Sequence, residues 1–358
     1  MTSNLKYFTG SFATTIGGLI LGGGIGYYYS NTMAGVLSTV FICAILGVLE
    51  VSLSFDNAVV NATVLRKMTP LWRHRFITWG MLIAVFGMRL IFPLAIVGIV
   101  AAVNPWDALV LAAVDPEKYA AIMRSVHVPV AAFGGSFLLM VALKYFFDRN
   151  KDVHWIKFIE DPLAKLGRLE GFELAVAMVC IYFISRSLNT DDKISFLVSG
   201  IFGLVTFILV DGISAVLEGP DEEENPGAVK DLHKASAGMF IYLEVLDASF
   251  SFDGVVGAFA ITNNLFIIAI GLGIGAMFVR SLTIMLVDRG TLAHYAYLEH
   301  GAFYAIGALA AIMFINTFHH IPEVITGLIG AAFIGLSFWA SVRKNRKSGG
   351  PAVINIGS

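Results

Sequence analysis

Glu50 and Asp56 stand six residues apart in GVLEVSLSFDNAVVNA (47–62), a run of otherwise mostly apolar side chains. Near residue 245, YLEVLDASFSFDGVVGAFA sets Asp247 and Asp253 at the same spacing, with Glu244 three residues earlier. Carboxylates in such surroundings have two kinds of chemistry open to them: binding a hard cation through oxygen, or taking up and releasing protons. Neutral oxygens accompany them, from Ser54, Asn57 and Asn61 in the first run and Ser251 in the second. Neither run holds a Cys or His that would favour zinc or copper(I), so Mn²⁺, Mg²⁺ and Ca²⁺ are the ions that fit.

The two runs align on their second acid. SLSFDNAVVNA (52–62) lies over SFSFDGVVGAF (249–259), with Ser, Ser, Phe and Asp in register. Downstream, GMLIAVFGMR (80–89) and GLGIGAMFVR (271–280) each run from a Gly to an Arg, Arg89 and Arg280. An internal repeat is expected, its copies crossing the membrane in opposite directions. On a straight helix, acids six apart stand about 240° around and about 9 Å along the axis. Glu50 and Asp56 therefore share one ion only if the helix unwinds near Ser52–Phe55; otherwise each Asp faces a central ion while Glu50 and Asp247 pair with Arg. Glu50, Ser54, Asn57 and Asn61 form one polar stripe, and Ser52 with Asp56 a second. Glu244, Asp247 and Ser251 line one face of the other helix. Each charge at mid-membrane costs at least about 2–3 kcal/mol, which makes Arg89 and Arg280 natural partners. Four acids against two arginines leave a formal excess of negative charge suited to one divalent cation or two protons.

The elements that must position these residues are membrane helices. The chain of 358 residues is 57% hydrophobic and 14% charged, against about a quarter charged in soluble domains. Apolar runs predict an all-α polytopic membrane protein of about ten spans: 11–29, 33–64, 76–103, 127–147, 171–187, 194–217, 236–262, 265–287, 300–318 and 323–342. The organisation that follows is a Gly-rich first span (1–32), a first repeat (33–147), a middle segment with cytoplasmic loops and two spans (148–235), a second repeat (236–342) and a basic tail (343–358). Lys and Arg concentrate at 66–75, 148–170 and 343–347, which puts both termini in the cytoplasm. EGPDEEENPGAVKDLHK (218–234) reads as a solvated cytoplasmic linker.

Further polar groups admit blander roles. Asp211 lies in an apolar span and fits an ion path or a structural pair equally. Lys144 is expected to snorkel, and Glu299 with His300 marks the entrance of the ninth span, where a vestibule or proton-linked role is open. Cys43 and Cys180 read as packing residues, and the Gly-rich run GGLILGGG as a close helix contact. A net charge of −2 gives no basic field for nucleic acid, and no nucleophile–base, zinc-protease or phosphate-loop pattern suggests an enzyme.

Glu50-Val-Ser-Leu-Ser-Phe-Asp56-Asn57 resembles the signature of TerC-type integral membrane proteins, within a wider group of LysE-like exporters; Asp247 to Asp253 resembles that family's second motif. The resemblance spans about residues 35–342 and is strongest to a subgroup of largely unknown function. It implies an inverted-repeat bundle with acids at its centre, in the inner membrane, and manganese export in some members, tellurite resistance or membrane-protein assembly in others. By motif position it implies Glu50, Asp56, Asn57, Asp247 and Asp253 as the metal site. Gly254 stands where the first copy has Asn57, and the middle segment is longer than a minimal member needs. The expected function is export of a divalent cation, Mn²⁺ first among the candidates, as substrate, with proton exchange as the expected coupling; the competing one is a non-transporting scaffold or assembly factor whose acid–Arg pairs are structural.

Overall fold

The computed structural model describes residues 5–149, 151, 153–169, 171–218 and 228–347, without the side chains of 218, 228–231, 252, 253 and 293. The acidic run 221–224 and the tail after Lys347 lie outside the described residues. Helices make up the whole described architecture: α1 (Thr9–Ser30), α2 (Met33–Leu53), α3 (Phe55–Leu65), α4 (Pro70–Val100), α5 (Pro105–Val114), α6 (Pro116–Ser125), α7 (His127–Phe147), α8 (Lys157–Leu166), α9 (Phe172–Arg186), α10 (Thr190–Glu218), α11 (Ala228–Ala258), α12 (Leu265–Asp288), α13 (Leu298–Asn316) and α14 (Glu323–Lys347).

Among the described residues, eight helices are long and apolar enough to cross a membrane, and the chain is a multi-pass membrane protein. Two of the ten expected runs fall outside those eight. The run 171–187 forms α9, only 15 residues long. The run 236–262 falls in α11, which has 31 residues but carries Glu244, Asp247 and Asp253 and is not among the eight. The overlong run 33–64 resolves into α2 and α3, separated at Ser54.

Small residues set how closely the site-bearing helices approach. Asn31 ends α1 in the left-handed conformation (φ 50°), its N–H bonded to Tyr27 O, and Thr32 then caps α2 by accepting from Gly35 N. This turn folds α1 back on α2, where a β-carbon at Gly22 would lie 2.7 Å from Cys43 Sγ. Across from it, a β-carbon at Gly271 of α12 would lie 2.6 Å from Leu46 Cβ, and one at Gly275 2.6 Å from Gly47 O. Helices that lack a hydrophobic drive to associate rely on such contacts. α4 is irregular: Phe76–Gly80 and Ile83–Ile91 are π-helical, and regular helix resumes at Phe92. Pro93 has no N–H to give the carbonyl of Arg89, so the α-helical ladder fails in the stretch just before it.

The segment 148–170, expected as loop, contains α8. Its Glu160 is fully buried and accepts from the backbone N–H groups of Trp155 (3.3 Å) and Ile156 (3.2 Å) and from Tyr304 Oη (3.3 Å). His300 Nδ1 of α13 lies 2.9 Å away and Lys151 Nζ 3.4 Å. Burial alone would raise this carboxyl, but His300, the Ile156 N–H and Lys151 outweigh it and hold the group well below its ordinary 4.5, at about 2. Glu160 thus ties α8 to α13 at the end of the bundle.

Two outcomes follow from this packing. Gly275→Ala lowers thermal stability in detergent by about 1–3 kcal/mol through overpacking against α2, whereas Gly24→Ala, with nothing within 4 Å of the new carbon, leaves it unchanged. A group whose folded pKa is depressed stabilises fully above its unfolded value and loses that contribution as pH falls toward the folded one. Glu160→Gln is therefore less stable than wild type at neutral pH, and the gap in melting temperature begins to close below pH 4.5 and shrinks toward pH 2.

Candidate functional site

The first motif is shaped by where Ser54 spends its hydroxyl. Ser54 leaves helical geometry (φ −103°, ψ 17°), ending α2 and opening α3. Its Oγ donates to Glu50 Oε1 at 2.9 Å instead of capping α3. Asp56 takes up the vacant role: its Oδ1 accepts the Asn57 N–H at 2.9 Å, a carboxylate in the first turn of a helix. The break thus falls within the expected Ser52–Phe55 window. α11 continues unbroken through the second motif.

The break does not bring the two acids of the first motif together. Glu50 turns to Arg89, whose guanidinium pairs with Glu50 Oε1 and also donates to the carbonyl of Ala84 one turn back on α4. Both side chains are nearly fully buried. Asp56, also buried, points the other way: a β-carbon at Gly330 of α14 would lie 3.8 Å from its Oδ2. Ser52 shares that side, its Oγ 2.9 Å from the corresponding point at Gly327. The two polar stripes read from the sequence are therefore separate compartments, one facing α4 and α11, the other α14.

The first compartment is a cavity of about 30 Å³, room for about one water or a bare ion. Glu50, Ser54, Asn57, Asn61, Asp247 and Ser251 line it, with Arg89 and Arg280 in its wall. Asp247 Oδ1 accepts from Asn57 Nδ2 at 2.6 Å and Asn61 Nδ2 at 3.1 Å. A carboxylate can only accept, so both amides must present their NH₂ groups to it. Their Oδ1 atoms are left buried and without a hydrogen-bond partner among the described residues. Two orphaned acceptors beside two carboxylates form an oxygen-rich set of the kind a hard cation takes.

The charges differ from the sequence expectation. Two acids and two arginines line the cavity, so the excess of negative charge is absent from this compartment. Arg280 is half-buried and donates through Nε to Ile77 O at 3.0 Å, with no carboxylate partner among the described residues. Glu244 stands outside the lining. Both of its carboxylate oxygens are buried and have no hydrogen-bond partner among the described residues, pressed against Gly80 of α4, where any β-carbon would collide with Oε1. Asp253 lies in α11, and its side chain is outside the described residues. Asp211 pairs with Lys144 near the end of α7, away from the centre.

A larger cavity, about 680 Å³, opens beside the last turn of α3 and is lined by Arg66, Lys67, Tyr145, Glu173, Glu299 and His300, among others. Sequence reasoning marked Glu299 and His300 but missed the buried Glu160 behind them. Its position inside an amphipathic run, three residues from the apolar Leu163, was the available signal.

Residues 55–348 match the family described as "Protein of unknown function (DUF475)", and the chain belongs to that family. No curated protein and no solved structure matches it.

Breaking the central pair distinguishes its partners' roles. Arg89→Met leaves Glu50 buried and uncompensated and destabilises the folded protein by about 3–5 kcal/mol, and adding Glu50→Gln recovers most of that loss. Chemical unfolding of the two variants in detergent measures the difference.

Proposed function

We propose that the protein is a secondary transporter that exports a divalent metal cation, with Mn²⁺ the leading candidate, through the cavity between Glu50 and Asp247. The observation that carries this reading is the pair of buried, unpartnered amide oxygens on Asn57 and Asn61, beside two carboxylates, in a space the size of one ion. The donor set is all oxygen, which suits a hard cation. The cavity is too small for an organic substrate. The cation itself is the cargo, and no organic cofactor is needed.

In this reading Arg89 acts as a tethered counter-ion. It holds Glu50 while no cargo is bound and gives up the carboxylate when a cation enters, which avoids leaving an uncompensated charge in the apolar bundle. Asp247, Asn57, Asn61, Ser54 and Ser251 supply the remaining oxygens. Asp56, on the α14 side, belongs to the proton or ion path rather than to the same coordination sphere. Alternating access about an inverted repeat, a TerC-like affiliation and an inner-membrane location with cytoplasmic termini complete the proposal. They rest on the paired motifs, the Gly-to-Arg spacing and the distribution of Lys and Arg.

One observation favours the second reading, a membrane scaffold or assembly factor. The two acids and two arginines around the cavity already balance, as in a structural ion-pair cluster. Uptake of Mn²⁺ into proteoliposomes separates the two, with Mg²⁺ and Ca²⁺ as competitors. Wild type carries Mn²⁺, and Asp247→Asn lowers the initial rate at least about tenfold, the worth of one lost contact to a charged group. Asp56→Asn also loses flux while remaining folded. Absence of flux for all three ions from folded wild-type protein overturns the transporter reading in favour of the scaffold.

A further inference from the structure

α8 has a side that the bundle does not use. Glu160, Leu163, Ala164 and Gly167 face inward, and a β-carbon at Gly167 would collide with the carbonyl of Phe147, the last residue of α7. The opposite side carries Phe158, Ile159, Pro162 and Leu166, which fall within an arc of about 100°. Phe158 is 90% exposed, Ile159 41% and Leu166 40%. Beside this apolar stripe lie Lys157, Lys165 and Arg168, all exposed. Asp161, the acid on that flank, has its Oδ1 3.3 Å from His154 Nδ1.

Two clamps fix the height of this stripe. Glu160 holds the start of α8 to His300 and Tyr304 at the start of α13, and Gly167 holds its end to the last turn of α7. α7 and α13 are both candidate spans, so the stripe sits where spanning helices leave the apolar layer. A helix with an apolar stripe and a basic flank at that depth matches an interface of acyl chains below and anionic headgroups above.

We propose that α8 docks in the headgroup layer of an anionic lipid leaflet, with Phe158, Pro162 and Leu166 inserted among the acyl chains and Lys157, Lys165 and Arg168 against lipid phosphates. Charge complementarity and continuity with the lipid-facing spans select lipid as the occupant over a second copy of the chain. The proposal is independent of the cargo and stands whether or not a cation moves. Because Glu160 is anchored at the wall of the larger cavity, through His300, leaflet charge has a mechanical route to that end of the bundle.

The test uses the full-length protein carrying Cys180→Ser and Phe158→Cys, with an environment-sensitive fluorophore on the introduced thiol; Cys43 is buried and stays unlabelled. The protein is reconstituted in phosphatidylcholine vesicles with and without phosphatidylglycerol, and quenched by neutral acrylamide or by spin-labelled lipid. The expected result is several-fold weaker acrylamide quenching, and stronger lipid quenching, in the anionic vesicles. High salt, or charge reversal by Lys157→Glu, Lys165→Glu and Arg168→Glu together, removes that difference. The salt arm needs no further variant and decides the matter even if the reversal fails to fold. Strong acrylamide quenching in both vesicles means the stripe faces water and overturns the proposal. Equal protection in both, insensitive to salt, overturns the anionic assignment. Protection that disappears on diluting protein in lipid identifies a second copy as the occupant and overturns it as well.

Discussion

The closure of Arg89 on Glu50 is the interaction around which the centre of this bundle is built. An ionised carboxylate in an apolar interior is costly unless a charge and hydrogen bonds answer it at close range. Meeting that demand fixes several things at once. α4 must present an arginine to α2, α12 must come close enough to seal the pair from lipid, and Ser54 must turn its hydroxyl back to Glu50. The last of these explains why α2 ends where it does. With the serine engaged inside, Asp56 caps α3 and is carried to the other side of the helix. The ion pair holds Glu50 on one side, and the helix angle carries Asp56 to the other.

Much of this was legible in the sequence because it rested on helix periodicity. The stripes Glu50–Ser54–Asn57–Asn61 and Ser52–Asp56 follow from side-chain angles along a helix, and the structure sends them to different neighbours as those angles require. The Gly-rich first span likewise packs closely, with Gly22 against Cys43. Two kinds of information were not local. Which apolar runs become long apolar helices is one: α9 has only 15 residues, and α11, which carries Glu244 and Asp247, is not among the eight candidate spans found in the described residues. Which acid meets which arginine is the other, since it depends on the tertiary approach of α4: Arg89 takes Glu50, and Arg280 donates to the backbone at Ile77. α8 was hidden by its loop-like flanks, and the partner that stabilises it, His300, lies 140 residues further along.

The amide pair on α3 is held as a unit. Asn57 and Asn61 are one turn apart, so their side chains stack along the cavity and reach the same oxygen of Asp247. This arrangement orients both carbonyl oxygens without any covalent constraint. It relies on a rigid helix, the kind of support that holds binding groups in place better than a loop does.

The irregular course of α4 has a consequence for how the two Gly-to-Arg intervals compare. A π-helical run turns less per residue than an α-helical one, so the same nine-residue interval sweeps a different angle in α4 than in the regular α12. Gly80 meets Glu244 of α11 and Arg89 meets Glu50 of α2, whereas Gly271 packs on Leu46 of α2 and Arg280 reaches across to Ile77 of α4. Identical spacing in the sequence has become unlike orientation in space: a change of hydrogen-bond register upstream of a proline is enough to set Arg89 against a carboxylate while Arg280 meets a backbone carbonyl.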